Sequence, residues 1–132
     1  MKESDRKEIV KYRISRAHET LREVDILIEN KLWNIAVNRL YYGCYYAVIA
    51  LLISMKIKAQ THAGVRQMFG LHFIKTGLID KELGKYYSII FDKRLTGDYD
   101  DFIDYEKDDV LAMVVPAKEF IQEIDKLINN AP

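Results

Sequence analysis

Cysteine occurs once, at Cys44, so the chain can close no internal disulfide, and this usage fits a reducing cytoplasm. A surplus of either charge is also missing. Lys plus Arg number 20 and Asp plus Glu number 20, for a formal net charge of +0. A duplex-coating protein ordinarily carries a basic excess, so duplex DNA is not an expected partner. Residues 1–10 are charged throughout, which argues against a signal peptide. Strand-like alternation, internal repeats, low-complexity tracts and an interdomain linker are all lacking. So are a Ser/His/Asp triad, Cys/His metal spacing, a phosphate-cradling glycine loop and paired catalytic carboxylates; no metal or cofactor is expected. What remains is 132 residues of ordinary globular composition, 49% hydrophobic and 30% charged. That suits one domain over residues 1–132 with one proper core.

Helical spacing dominates this chain. Val10, Ile14, Ala17, Leu21, Val24 and Ile28 recur at threes and fours, predicting one long helix over residues 4–29. Ser4 is its expected N-cap and Asn30 its stop, with Arg13, Arg16, Glu19, Arg22 and Glu23 on a solvated face. A second helix is expected over 32–57. Its stretch from Leu40 to Met55 holds no charge, but is short of the roughly 20 residues a membrane span needs and contains four tyrosines; a buried core helix is the reading. Thr61 is the expected N-cap of a third helix over 62–75, ended by Gly77. Asp80 starts a fourth, with Leu83, Tyr87, Ile90 and Arg94 on one side, before a polar, acidic stretch over 96–105 where Gly97 marks a turn. A last helix covers 107–129, with Pro116 predicting a kink or a late start. Short connections make these neighbours antiparallel: an all-α, up-and-down bundle of four to five helices.

Four segments then carry a resemblance. Asn38-Arg39-Leu40-Tyr41-Tyr42-Gly43-Cys44-Tyr45-Tyr46-Ala47 resembles the second-helix signature of the small prokaryotic HEPN proteins. Arg16-Ala17-His18-Glu19-Thr20-Leu21, Thr61-His62-Ala63-Gly64-Val65 and Arg94-Leu95-Thr96-Gly97-Asp98-Tyr99 resemble three further family segments in the same order, so the resemblance covers almost the whole chain. It implies a helical bundle that dimerises and two kinds of work. Some members are metal-independent ribonucleases, often toxins, that use an Arg-x(4–6)-His motif. Others are companions of a minimal nucleotidyltransferase. The ribonuclease motif is absent here, because no histidine follows Arg94.

The candidate nucleotide- or phosphate-binding residues are Asn38, Arg39, Tyr42, His62, Arg94, Asp98 and Tyr99. Arg39, at the edge of an apolar helix, requires a partner: either a ligand phosphate, or an internal carboxylate such as Asp98 or Glu19. Asn38 either cross-links helices or reads a base. Tyr41, Tyr42, Tyr45 and Tyr46 offer a core or dimer surface, or a stacking platform; Tyr42 and Tyr45 or Tyr46 share the side of Arg39. His62, at a helix start, either packs there or meets an anion. Arg94 is either locked by Asp98 and Tyr99 or clamps a phosphate. The seven acids between Asp98 and Asp109 lack EF-hand spacing and read as helix-dipole partners, solvated charges or a dock for a basic protein. Cys44 packs, while His18 and His72 receive no role.

The expectation from resemblance is a cytoplasmic, homodimeric, nucleotide- or RNA-associated protein. It would be the non-catalytic partner of a minimal nucleotidyltransferase in a toxin–antitoxin or stress module, with Tyr99 as a candidate acceptor of modification. The alternative is a metal-independent ribonuclease in which His62, Arg39 and Arg94 meet. A structural dimerisation module is the third reading.

Overall fold

The structure, a computed structural model, describes residues 1–99 and 103–130. Five helices follow one another: α1 (Glu3–Glu29), α2 (Trp33–Ser54), α3 (His62–Phe69), α4 (Lys81–Tyr99) and α5 (Lys107–Asn129). A wide π-type turn, Gly70–Ile74, extends α3. No strand occurs among the described residues, and the architecture is the expected up-and-down bundle.

The apolar stripes face inward. Val10, Ala17 and Val24 of α1 are buried, as are Val110, Met113, Ala117, Phe120 and Ile124 of α5. Both stripes pack on α2, which also receives α4 and therefore lies at the centre. That position explains the long uncharged stretch. Although α2 is long and apolar enough to cross a membrane, Val37, Leu40, Tyr41, Cys44, Ala47 and Leu51 are enclosed by the bundle. Each fully buried aliphatic side chain contributes roughly 1.5–3 kcal/mol of transfer free energy, so α2 is the element whose packing dominates stability.

The helix ends differ from the sequence expectations in instructive ways. Lys2, not Ser4, occupies the N-cap of α1, and no side chain caps it. The second helix ends before Ile57, because Lys56 adopts φ 60° and the Ile57 amide turns back to donate to the Leu52 carbonyl at 2.9 Å. The same left-handed closure ends α1, where Lys31 has φ 58° and the Leu32 amide donates to the Leu27 carbonyl. Lysine supplies at both places a conformation that glycine adopts more easily. Thr61 caps α3 as expected, its Oγ1 accepting from the Gly64 amide at 2.9 Å. Of the kink or late start expected at Pro116, the late start does not occur: a capping box between Glu106 and Asp109 starts α5 at Lys107, as the sequence spacing places it, and Pro116 lies within it. Of the acidic run, residues 100–102 lie outside the described residues.

Gly97 is not a turn. It lies within α4, and its role is steric: a Cβ there would come within 2.9 Å of the Tyr105 ring. That ring is buried and pinned by its hydroxyl, which donates to the Lys93 carbonyl at 2.6 Å. Replacing a helical glycine by alanine ordinarily stabilises a helix by up to about 1 kcal/mol. Here the overpacking dominates. Gly97→Ala is expected to lower stability by about 1–3 kcal/mol, read as a fall in urea midpoint, and the same change made on Tyr105→Ala should no longer be destabilising.

Candidate functional site

The tyrosines of α2 form the floor of the site. Tyr41 is fully buried, with the rings of Tyr45 and Tyr87 stacked near it and Phe91 edge-on at 5.6 Å. Tyr42, one position on, points to a more open side and remains half-buried. Burial pushes the Tyr41 phenol up to about 12; the Tyr87 hydroxyl and the Arg94 charge oppose that rise. Tyr41 is therefore an un-ionised hydroxyl at neutral pH.

His62 reaches these rings because Thr61 fixes the start of α3. Its imidazole stacks on Tyr45 with centroids 4.2 Å apart, and its Nδ1 lies 2.7 Å from the Tyr41 hydroxyl. Burial first, and the charge of Arg94 second, hold its pKa below the ordinary 6.5. The ring is thus mainly neutral at pH 7. In the tautomer whose Nδ1–H donates to Tyr41, Nε2 carries a free lone pair and is available as a base.

Arg94 comes from α4 and is only 6% exposed. Its Cζ lies 4.8 Å from the Tyr41 centroid and 5.7 Å from that of Tyr42. Its Nη1 stands 3.9 Å from Asp98 Oδ2, a loose pair one turn along α4. Among the described residues its buried Nε has no hydrogen-bonding partner. Tyr99 does not help hold it, being 76% exposed. Desolvating a guanidinium is costly, and the faces of two tyrosines recover part of that cost.

Arg39 is half-buried, but the predicted ion pair to Asp98 or Glu19 does not form. Asp98 instead accepts from Asn38 Nδ2 at 3.0 Å, and Glu19 pairs with Arg16 at 3.2 Å. Arg39 donates through Nε and Nη2 to Asn38 Oδ1, at 3.2 and 3.1 Å, and lies 5.0 Å from the Tyr42 centroid. Asn38 therefore does cross-link helices, joining Arg39 to Asp98 and so to α4. Tyr42 is the common neighbour of the three residues named for catalysis: Arg39, Arg94 and His62, the last edge-on at 5.8 Å.

Some participants were missed in the sequence. Arg16 does not simply extend into solvent: it lies 5.7 Å from the Tyr46 centroid, and Arg13 acts electrostatically on Tyr45. The positive lining thus continues onto α1. Tyr41 is the anchor of His62, a pairing of residues 21 apart that no local spacing marks. Away from the site, His18 Nε2 meets Asp125 Oδ2 at 2.6 Å and ties α1 to α5.

A five-helix bundle with an Asn-Arg-x-Tyr-Tyr helix at its centre and arginine and histidine gathered on its tyrosines defines a class of small helical proteins. Residues 10–127 match the HEPN domain model, and the chain belongs to the HEPN family. It is 37% identical over 127 residues to a UPF0332 protein of Thermotoga maritima, covering 96% of both chains. It is 32% identical to two proteins of Methanocaldococcus jannaschii named as candidate toxins, MJ0142 and MJ0605. These alignments cover 87% and 96% of this chain and 78% and 93% of the respective relatives.

The electrostatics are directly measurable. In an NMR titration, His62 should lose its proton at a midpoint below 6.5. Removing the Arg94 charge by Arg94→Gln should raise that midpoint without restoring it fully, because burial, the larger cause, remains. An unchanged midpoint in the variant would separate the two residues.

Proposed function

We propose that this protein is a metal-independent ribonuclease of the toxin kind, acting as a cytoplasmic homodimer. One observation carries the reading: His62, Arg39 and Arg94, from three different helices, all pack around the ring of Tyr42. The Arg-x(4–6)-His motif is missing from the end of α4, yet a histidine from α3 stands near the arginine that would have begun it. The names of the two Methanocaldococcus jannaschii relatives point the same way.

In this reading RNA lies with one phosphate between His62 and the arginines. Nε2 of neutral His62 takes the proton from a ribose 2′-hydroxyl. The 2′-oxygen attacks phosphorus and the P–O5′ bond breaks, leaving a 2′,3′-cyclic phosphate. The departing 5′-oxygen takes a proton from water or from the imidazolium. Arg39 and Arg94 balance the added charge on the phosphorane, in a site where Tyr41 keeps the imidazole oriented. No step requires a metal.

Purified protein incubated with total RNA in EDTA should cleave it. His62→Ala should reduce the rate by about 10²–10⁴-fold, the usual worth of a positioned base. Arg94→Gln should also abolish most cleavage while circular dichroism remains helical. The rate should fall as pH drops, with a midpoint below the ordinary 6.5 of histidine, since protonation of His62 removes the base. Intact RNA in every lane rejects the reading.

A second reading is favoured by the exposure of Tyr99. In it the chain is the non-catalytic partner of a minimal nucleotidyltransferase, which modifies that phenol within a toxin–antitoxin or stress module. Co-expression with such an enzyme should add a nucleotide-sized mass that is absent from Tyr99→Phe; an unmodified wild-type protein argues against it.

A further inference from the structure

A groove between α3, with its wide turn, and α4 contains none of the proposed catalytic residues. Two adjoining cavities of about 540 and 620 Å³ share Arg66, Gly70 and Ser88. The floor is apolar, made by Phe69, Ile74 and Ile89 in one cavity and extended by Leu71 in the other. Ile89 and Leu71 are 50% and 46% exposed, much for aliphatic side chains that line a recess. The charged lining is cationic: Arg66, Lys75, Lys81 and Lys85 line the two cavities, and no carboxylate among the described residues does. That contrasts with a chain whose charges balance at 20 of each sign. Asp92 lies 3.8 Å from Arg66 and Glu82 lies 3.3 Å from Lys85, but both pairs are exposed and neither acid lines the groove.

Gly70 helps to keep the recess open. Its dihedrals are helical, φ −60° and ψ −46°, so the backbone makes no use of glycine's freedom. A Cβ there would meet nothing within 4 Å. Glycine weakens a helix interior, and here nothing in the fold requires it. Gly84, on the facing helix, is different: its Cβ would meet Ile74 at 2.9 Å. The missing side chain at Gly70 leaves space in the groove.

We propose that this groove docks an acidic amphipathic helix from a partner protein, with apolar side chains on the floor and carboxylates against the four rim cations. A helix laid in a groove fits an apolar floor that runs through two adjoining cavities, and the single-sign rim selects an acidic partner. Nucleic acid fits poorly. Among the described residues the only rings lining the groove, Phe69 and Tyr87, are buried in the core and offer no face on which a base could stack.

The test uses the full-length protein and a fluorescent synthetic peptide of roughly four helical turns. The peptide carries leucine at i, i+3, i+4 and i+7 spacing with glutamate elsewhere; a control replaces each glutamate by lysine. Fluorescence anisotropy should show saturable binding of the glutamate peptide and none of the control. Binding should weaken on the order of tenfold in the double variant Lys81→Glu and Lys85→Glu, and likewise in Gly70→Leu, which fills the groove. An unchanged or raised melting temperature for Gly70→Leu would show that the loss lies in the groove and not in folding. The proposal is overturned if the wild type does not bind the glutamate peptide, if Gly70→Leu binds it equally well, or if single-stranded RNA occupies the groove in its place.

Discussion

A guanidinium buried against aromatic rings is the constraint around which this molecule is arranged. Arg94 enters the bundle from α4 almost fully enclosed, and its nearest carboxylate among the described residues is a loose neighbour at 3.9 Å. An unpaired charge in such surroundings would cost several kcal/mol. The π-faces of Tyr41 and Tyr42 supply the compensation, which requires α2 to present two adjacent tyrosines at that level. Once Tyr41 is held there, its hydroxyl fixes His62, and Thr61 must cap α3 in register for that imidazole to arrive. The position of three helices follows from housing one charge.

The gross fold was legible because period and core coincide. The stripes of α1 and α5 face inward as spaced, and the uncharged tract of α2 is the central helix. The failures have specific causes. Glycine serves both turns and close packing, and Gly97 serves the second through Tyr105, which lies across a segment that sequence spacing does not bridge. Lysine in a left-handed conformation leaves no compositional mark, so the end of α2 was placed too late. At the site, each participating type was visible: arginine at an apolar edge, histidine at a helix start, tyrosines at helical spacing. Their assembly was not. Arg39 satisfies itself on Asn38 next door instead of on a distant acid, and His62 depends on Tyr41, whose sequence reading was core, dimer surface or stacking platform but not an anchor for histidine.

Local motifs and tertiary sites can carry equivalent chemistry by different routes. An arginine followed within one or two helical turns by a histidine places both groups from a single segment. Here the groups come from α2, α3 and α4 and are gathered by one aromatic ring. Such a site depends on interhelical distances more than on helix geometry. Asn38 is therefore as informative as the charged residues, because it links Arg39 on α2 to Asp98 on α4.

Cys44 lies one turn from Tyr41 with no exposed surface, and burial pushes its thiol far above the usual range. Only the thiolate reacts readily with electrophiles and oxidants. The folded protein is thus chemically silent at its one sulfhydryl, and a thiol reagent acts as a clock on the bundle: each labelled molecule records an opening that separated α2 from its neighbours.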